Sequence, residues 1–335
     1  MAKTVTVYRW DDAGAPQLVN GKPSEIIDIL TKCLVDGYGS KLPLGWSKPF
    51  DDPVNRVAVF RNNSAEGASG GYLRVADASG SDATNGNIRI TAAVSMTDVN
   101  TAFNAGYFDT TSTSGNTVRN WVIIGTNSGF YFLSEPAGSL MAGSIVSTLS
   151  FFAGDITSII PNDAGRFIAY SSFGKNADSS TPSSWNNSLD SLNHNLNGSP
   201  FLKIWDADGG ASFRQYALVF PFSALVATTT FANQNGVSAL PQILAPYMLA
   251  IYAATPTAPG TDRNGTNQWS SQLSPLYRGF LPGLVAARFP EFRTEPWPLV
   301  RSINGKTHWM LRNPHAGAPS VYIELESWDD PFVSI

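Results

Sequence analysis

Short β-type runs, each closed by turn residues, recur along this chain and constrain its fold more than any other feature. Thr4 to Trp10 alternates polar and apolar side chains and is rich in β-branched residues. Similar runs follow at Arg56 to Arg61, Gly71 to Ala76, Asn87 to Val94, Asn120 to Gly125, Gly129 to Ser134, Ile156 to Ile160 and Arg166 to Ser171. Asn85-Gly86 and Asn127-Ser128-Gly129 supply hairpin-type turns between them. The pattern resumes at Phe201 to Asp206, Phe213 to Phe222, Leu299 to Ile303, Thr307 to Arg312 and Ser320 to Glu326. Asn304-Gly305 is a two-residue hairpin signal. Short strands with frequent turns predict a mainly β protein of sandwich-like domains with a few short helices, rather than a doubly wound sheet.

One amphipathic helix interrupts the β pattern near the N-terminus, over residues 24–35. Ile26, Ile27, Leu30, Cys33 and Leu34 share a face at helical spacing, Pro23 and Ser24 suit its first turn, and Gly37 suits its end. Cys33 on that face reads as a packed thiol rather than a reactive one. A second short helix is expected from Thr97 to Phe103. The chain therefore divides into a β-rich part at 1–172, a Ser- and Asn-rich loop or boundary at 173–200, and a β-rich part at 201–335. The last part either builds its own core or shares the first one.

Charge is scarce. The 22 Lys and Arg and 26 Asp and Glu make up 14% of the chain and leave a formal net charge of −4, against about 25% charged residues in an ordinary soluble protein. A nucleic-acid partner is not expected, because the clustered Lys and Arg of such proteins are missing. From Gln215 to Thr261 there is no Asp, Glu, Lys or Arg at all. Two readings fit that segment: a buried core, or a contact between subunits, where charge is depleted and aromatics are enriched. Tyr216, Phe220, Phe222, Phe231, Tyr247, Met248 and Tyr252 are the candidate interface residues. No unbroken apolar run of about 20 residues occurs, so membrane insertion is not expected. The N-terminus lacks a basic and apolar leader, which predicts folding in a reducing cytoplasm. The single cysteine agrees, since it excludes an internal disulfide.

Residue chemistry predicts no catalytic, cofactor or metal site. Of the three histidines, His194 lies in the Ser/Asn-rich stretch, His308 on an expected strand and His315 in a turn. No His-Glu-x-x-His pattern occurs, and the Gly-x-Ser-x-Gly spelled by Gly67 to Gly71 does not read as a strand-to-helix nucleophile elbow. Asp206-Ala207-Asp208-Gly209-Gly210 opens like a calcium loop but lacks its third acidic ligand and closing Glu, so a β-turn is the better reading. The pairs Asp11-Asp12, Asp51-Asp52 and Asp329-Asp330 border Trp, Pro or Phe as turn residues do. Adjacency does not place two carboxylates across a cleft as glycoside hydrolysis requires. Trp185, Trp269 and Trp297 fall in loop-like regions and are candidate exposed aromatic contacts, either as sugar platforms or as packing between subunits or under loops.

A resemblance adds to this reading. Cys33-Leu34-Val35-Asp36-Gly37-Tyr38-Gly39-Ser40-Lys41, followed by Gly45-Trp46 and Lys48-Pro49-Phe50, resembles the N-terminal signature of a set of tailed-bacteriophage virion proteins. Val7-Tyr8, Gly71 to Val75, Met96 to Val99, Trp121 to Ile123, Phe130 to Phe132 and Phe152 to Asp155 are similar to later steps of that family, in order. Gly279-Phe280-Leu281-Pro282-Gly283-Leu284 is similar to its Gly-x-Leu-Pro-Gly-Leu step. Coverage is good over 1–172 and patchy after 200, where Ser327 to Phe332 only loosely echoes the family's ending. The resemblance implies a non-enzymatic component of the virion, associated with tail, baseplate or fibre, that assembles with copies of itself and other virion proteins. A capsid decoration protein and a host receptor- or glycan-binding module, or a glycan-degrading tailspike, are the alternatives.

Overall fold

The computed structural model describes residues 2–106, 108–112, 119–135, 149–171, 202–219, 244–251, 277–287, 297–311 and 320–328. In chain order the elements are β1 (Lys3–Thr4), β2 (Thr6–Arg9), α1 (Pro23–Thr31), β3 (Ser47–Asp52), β4 (Val57–Arg61), β5 (Tyr72–Asp77), β6 (Asn87–Met96), β7 (Ala102–Ala105) and β8 (Asp109–Ser112). There follow β9 (Trp121–Gly125), β10 (Gly129–Ser134), β11 (Ser150–Asp155), β12 (Thr157–Ser158), β13 (Phe167–Tyr170), β14 (Leu202–Trp205) and β15 (Phe213–Val219). The last are β16 (Leu244–Ile251), β17 (Tyr277–Ala287), β18 (Val300–Ile303), β19 (Lys306–Leu311), β20 (Ser320–Glu324) and β21 (Ser327–Trp328). The protein is mainly β, with antiparallel sheets in a sandwich-like arrangement.

Three sheets stack as layers. The middle one has the order β13-β11-β10-β9-β2. One of its faces shares a core with the six-stranded sheet, β3-β4-β5-β6-β7 with β8 beside β6, through Trp121, Ile123, Phe130, Phe132 and Phe151 against Phe60, Leu73, Val75, Ile88 and Ile90. The other face places Val122, Ile124, Tyr131, Phe152 and Ile168 against Leu249, Leu281, Leu284, Trp309 and Ile323 of the eight-stranded sheet. Every residue of β9, β10, β11 and β13 is buried. Continuous apolar runs such as Trp121-Val122-Ile123-Ile124 are what a strand covered on both faces requires.

α1 packs Ile26, Ile29 and Leu30 into the first core. The expected helix holds, with two changes. It continues past Thr31 as a π-helical turn over Lys32–Asp36, ended by Gly37 at φ +80°. Ile29, not Ile27, carries the core contact, and Ile27 sits at the margin. The helix expected from Thr97 to Phe103 is not formed. The Asp98 carboxylate instead accepts the N–H groups of Asn100 and Thr101 at 2.7 and 2.9 Å, which turns the chain from β6 into β7.

The hairpin expected at Asn304-Gly305 is present: Ile303 pairs with Lys306, and both turn residues have positive φ. Asp206 to Gly210 forms the turn between β14 and β15, closed by the Gly209 N–H on the Asp206 carbonyl. β16 and β17 each contain a proline. Pro246 stands at a shift of register before Met248, where the ladder does not need its missing N–H.

The glycines of the 279–284 stretch have a steric cause. Gly279 passes the Thr157 carbonyl so closely that a Cβ would lie 2.2 Å from its oxygen. Gly283, at φ +66°, lies under the Trp328 indole, and a Cβ there would meet Nε1 at 2.1 Å.

Candidate functional site

The most concentrated polar chemistry among the described residues is a buried seam running through all three layers. Its first centre is Asp155, the last residue of β11. Oδ1 accepts the Asn62 amide at 2.9 Å and the Ser69 hydroxyl, and Oδ2 accepts the Ser69 N–H at 2.7 Å and the Arg166 Nε at 3.1 Å. Asn62 follows β4 and also donates to the Ser128 carbonyl, while its own Oδ1 accepts the Gly70 N–H at 2.7 Å. The six-stranded and middle sheets are thus joined through one amide and one carboxylate.

The second centre is Asp163, in the turn between β12 and β13. Oδ1 accepts the Gly165 N–H at 2.9 Å and Arg278 Nη2 at 2.7 Å, and Oδ2 accepts the Ser158 hydroxyl at 2.6 Å and Arg278 Nε at 2.7 Å. Arg278, in β17, also donates to the Trp205 carbonyl at 2.8 Å and lies over the Tyr216 ring. Both side chains of this pair are fully buried. Burial opposes the Arg278 cation, but the hydrogen bonds and charge of Asp163 hold its pKa above the ordinary arginine value. Arg166 connects the two centres, from Asp155 to the carbonyls of Asp163 and Gly67.

Each carboxylate therefore accepts four donors, two per oxygen, which uses the lone-pair sites a carboxylate offers. A general base or metal ligand needs an oxygen facing its substrate or ion. These oxygens face the protein, and their chemistry is that of cross-links between layers. Lys3 closes one end of the seam by donating to Asn127 Oδ1 at 2.9 Å. Burial pulls its ammonium below the ordinary lysine value, opposed by the charges of Asp155 and Glu66.

The residues singled out from sequence lie elsewhere. Tyr216 is a correction: it is fully buried in the chain's own second core and has no surface for a subunit contact. β15 and β16, which carry the described parts of the charge-free segment, are inner strands of the eight-stranded sheet; Tyr216, Ala245 and Leu249 on them are buried in the second core, while Leu218 and Met248 are half-buried. Met248 is half-buried on β16 opposite Val219 and Phe280. Tyr247 stands at the register shift of the same strand. Phe220, Phe222, Phe231, Tyr252, Trp185 and Trp269 lie outside the described residues, as do His194, His315 and Asp329-Asp330.

Trp297 is a second correction. It is half-buried, with its ring 4.9 Å from Trp10 and 5.3 Å from Trp309, so it packs on the second core instead of standing free. The described carboxylate pairs are turn and strand-end groups. Asp11 pairs with Arg9, Asp12 accepts the Tyr38 hydroxyl, Asp51 pairs with Lys48, and Asp52 accepts from Asn55. His308 is buried on β19 with Nδ1 2.9 Å from the Lys306 carbonyl, and burial lowers its pKa.

Asp155, Asp163 and Arg278 escaped the sequence reading. Arg278 did leave a signal: it is the one charge in the otherwise apolar run of β17. No helix among the described residues is long and apolar enough to cross a membrane. No protein-family model matches this chain, and a search of the curated proteins finds no match.

Proposed function

We propose that this chain is a structural component of a tailed-phage virion, associated with the tail, baseplate or fibre, and that it acts by assembly with copies of itself and with other virion proteins. The observation that carries this reading is the saturation of both buried carboxylates. The polar groups gathered inside the protein cross-link its layers and hold no oxygen toward a substrate. A sandwich clamped in this way suits a part that keeps its shape while carrying load. The family resemblance of residues 33–50 and of the later motifs supports the same reading.

The test is light scattering of the purified protein, alone and mixed with other virion proteins. A defined oligomer or a stable co-assembly supports the proposal, because symmetric repetition makes modest contacts count many times. A chain that stays monomeric and binds no virion protein overturns it. Electron microscopy of particles labelled with an antibody to this chain distinguishes tail from head.

A further inference from the structure

The outer face of the six-stranded sheet, turned away from the middle layer, carries cations that the cross-links do not use. Strand alternation sends Leu73, Val75, Ile88 and Ile90 into the first core, so Arg74 on β5 and Arg89 on β6 point outward. Arg74 stands opposite Thr91 and Arg89 opposite Ala76, which makes the two arginines diagonal neighbours on adjacent strands. Each is only partly buried.

Their surroundings are unusual for a like-charged pair. Arg74 donates through Nε to the Val99 carbonyl at 2.6 Å and through Nη2 to Asn100 Oδ1 at 3.3 Å, both neutral acceptors. Arg89 lies over the Phe108 ring, its guanidinium carbon 4.3 Å from the centroid, and its buried Nε has no hydrogen-bond partner. Burial and the Arg89 charge both push the Arg74 pKa down, so the two cations feel each other. Among the described residues neither guanidinium forms an ion pair.

Two described carboxylates on or beside this face are engaged. Asp98 holds the turn after β6, and Asp52, across the sheet opposite Val57, accepts from Asn55. Arg61, the third arginine of the face, donates to the Gly70 carbonyl and lies over Tyr72.

Buried N–H groups of a guanidinium are rarely left unpaired; Arg74 spends Nε and Nη2 on neutral acceptors while Arg89 Nε has none, so the pair offers an oxyanion two adjacent cations with no carboxylate between them. We infer that Arg74 and Arg89 form a binding site for a single oxyanion, a phosphoryl or carboxylate group, with Phe108 as the floor that orients the Arg89 fork. Two adjacent guanidiniums suit one such group. A nucleic-acid backbone presents a charge at every few ångströms and needs a longer row of cations. The inference stands independently of the role in a virion.

The test uses the whole protein with ¹⁵N-labelled arginine, following the Nε–Hε signals by NMR. The probes are inorganic phosphate and a galacturonate trisaccharide, with sodium chloride at matched ionic strength as the control. The Arg74 and Arg89 signals shift saturably with at least one probe. Arg89→Gln and Arg74→Gln, checked by circular dichroism for an intact fold, each weaken binding by about tenfold or more, and Arg89→Lys, which keeps the charge but loses the fork, also binds more weakly. Saturation by phosphate alone assigns a phosphoryl ligand, and by galacturonate alone a carboxylate. No shift with either probe, an equal shift with chloride, or binding unchanged in folded variants would overturn the inference.

Discussion

Arg278 holds Asp163 through two hydrogen bonds of 2.7 Å, with both side chains fully buried. The pair ties β17 to the turn between β12 and β13, two segments more than a hundred positions apart in sequence. Removing one partner leaves the other charge buried and uncompensated. Arg278→Leu is therefore expected to lower the unfolding free energy by about 3–5 kcal/mol. Chemical denaturation measures this. The double variant Arg278→Leu with Asp163→Leu should recover part of the loss, since no charge is then left unpaired.

At Asp155, substitution by Asn keeps the size but turns one oxygen into a donor facing other donors. Three of its contacts come from Asn62, Ser69 and Arg166 side chains. The expected cost is about 1–3 kcal/mol. It should appear as a lower denaturation midpoint with an unchanged slope, because the same surface unfolds.

Gly283→Ala tests the close approach of β17 to Trp328. The added Cβ would lie 2.1 Å from the indole nitrogen at a φ of +66°. The indole must move, and its hydrogen bond to the Glu324 carbonyl is lost with it. A destabilisation of about 1–3 kcal/mol is expected, together with a change in tryptophan emission.

Stability should fall on acidification in part through His308. Its pKa in the folded protein is depressed by burial below the ordinary 6.5. The unfolded chain therefore binds the proton first, and stability drops as pH falls through about 6.5. Between pH 7.5 and 5.5, His308→Gln should lose less stability than the unsubstituted protein. An equal loss in both would remove His308 from the account.

Cys33 is fully buried, and burial raises its thiol pKa well above the ordinary value. It should resist a thiol reagent under native conditions and react fully in denaturant. Rapid native labelling would contradict the packing of the π-helical turn on the first core.

Much of the architecture was legible because local chemistry and tertiary fit agree. Asn304-Gly305 can hardly form anything but a tight hairpin, and Thr6 to Arg9 alternates as an edge strand does. β16 and β17 were not legible: interior prolines and glycines mask them, and only the bulge at Pro246 and the contacts of Gly279 and Gly283 make those residues acceptable there. The short helix expected at 97–103 failed because the Asp98 side chain competes for the local N–H groups. The polar seam was illegible for a different reason. Arg278 announces a buried partner by standing alone in an apolar strand, but the choice of Asp163 depends on how distant layers stack. The charge-free segment pointed in two directions. On β15 and β16 the core reading holds for Tyr216, Ala245 and Leu249, which are buried in the second core.

The central proposal is that this chain is a building part of a phage particle. Quantitative mass spectrometry of purified, infectious tailed-phage particles produced from a genome that carries this coding sequence tests this most directly. The account predicts peptides of this chain in a fixed ratio to the other virion proteins, preserved through successive purification steps. Particles that infect normally and contain none of it would contradict the account.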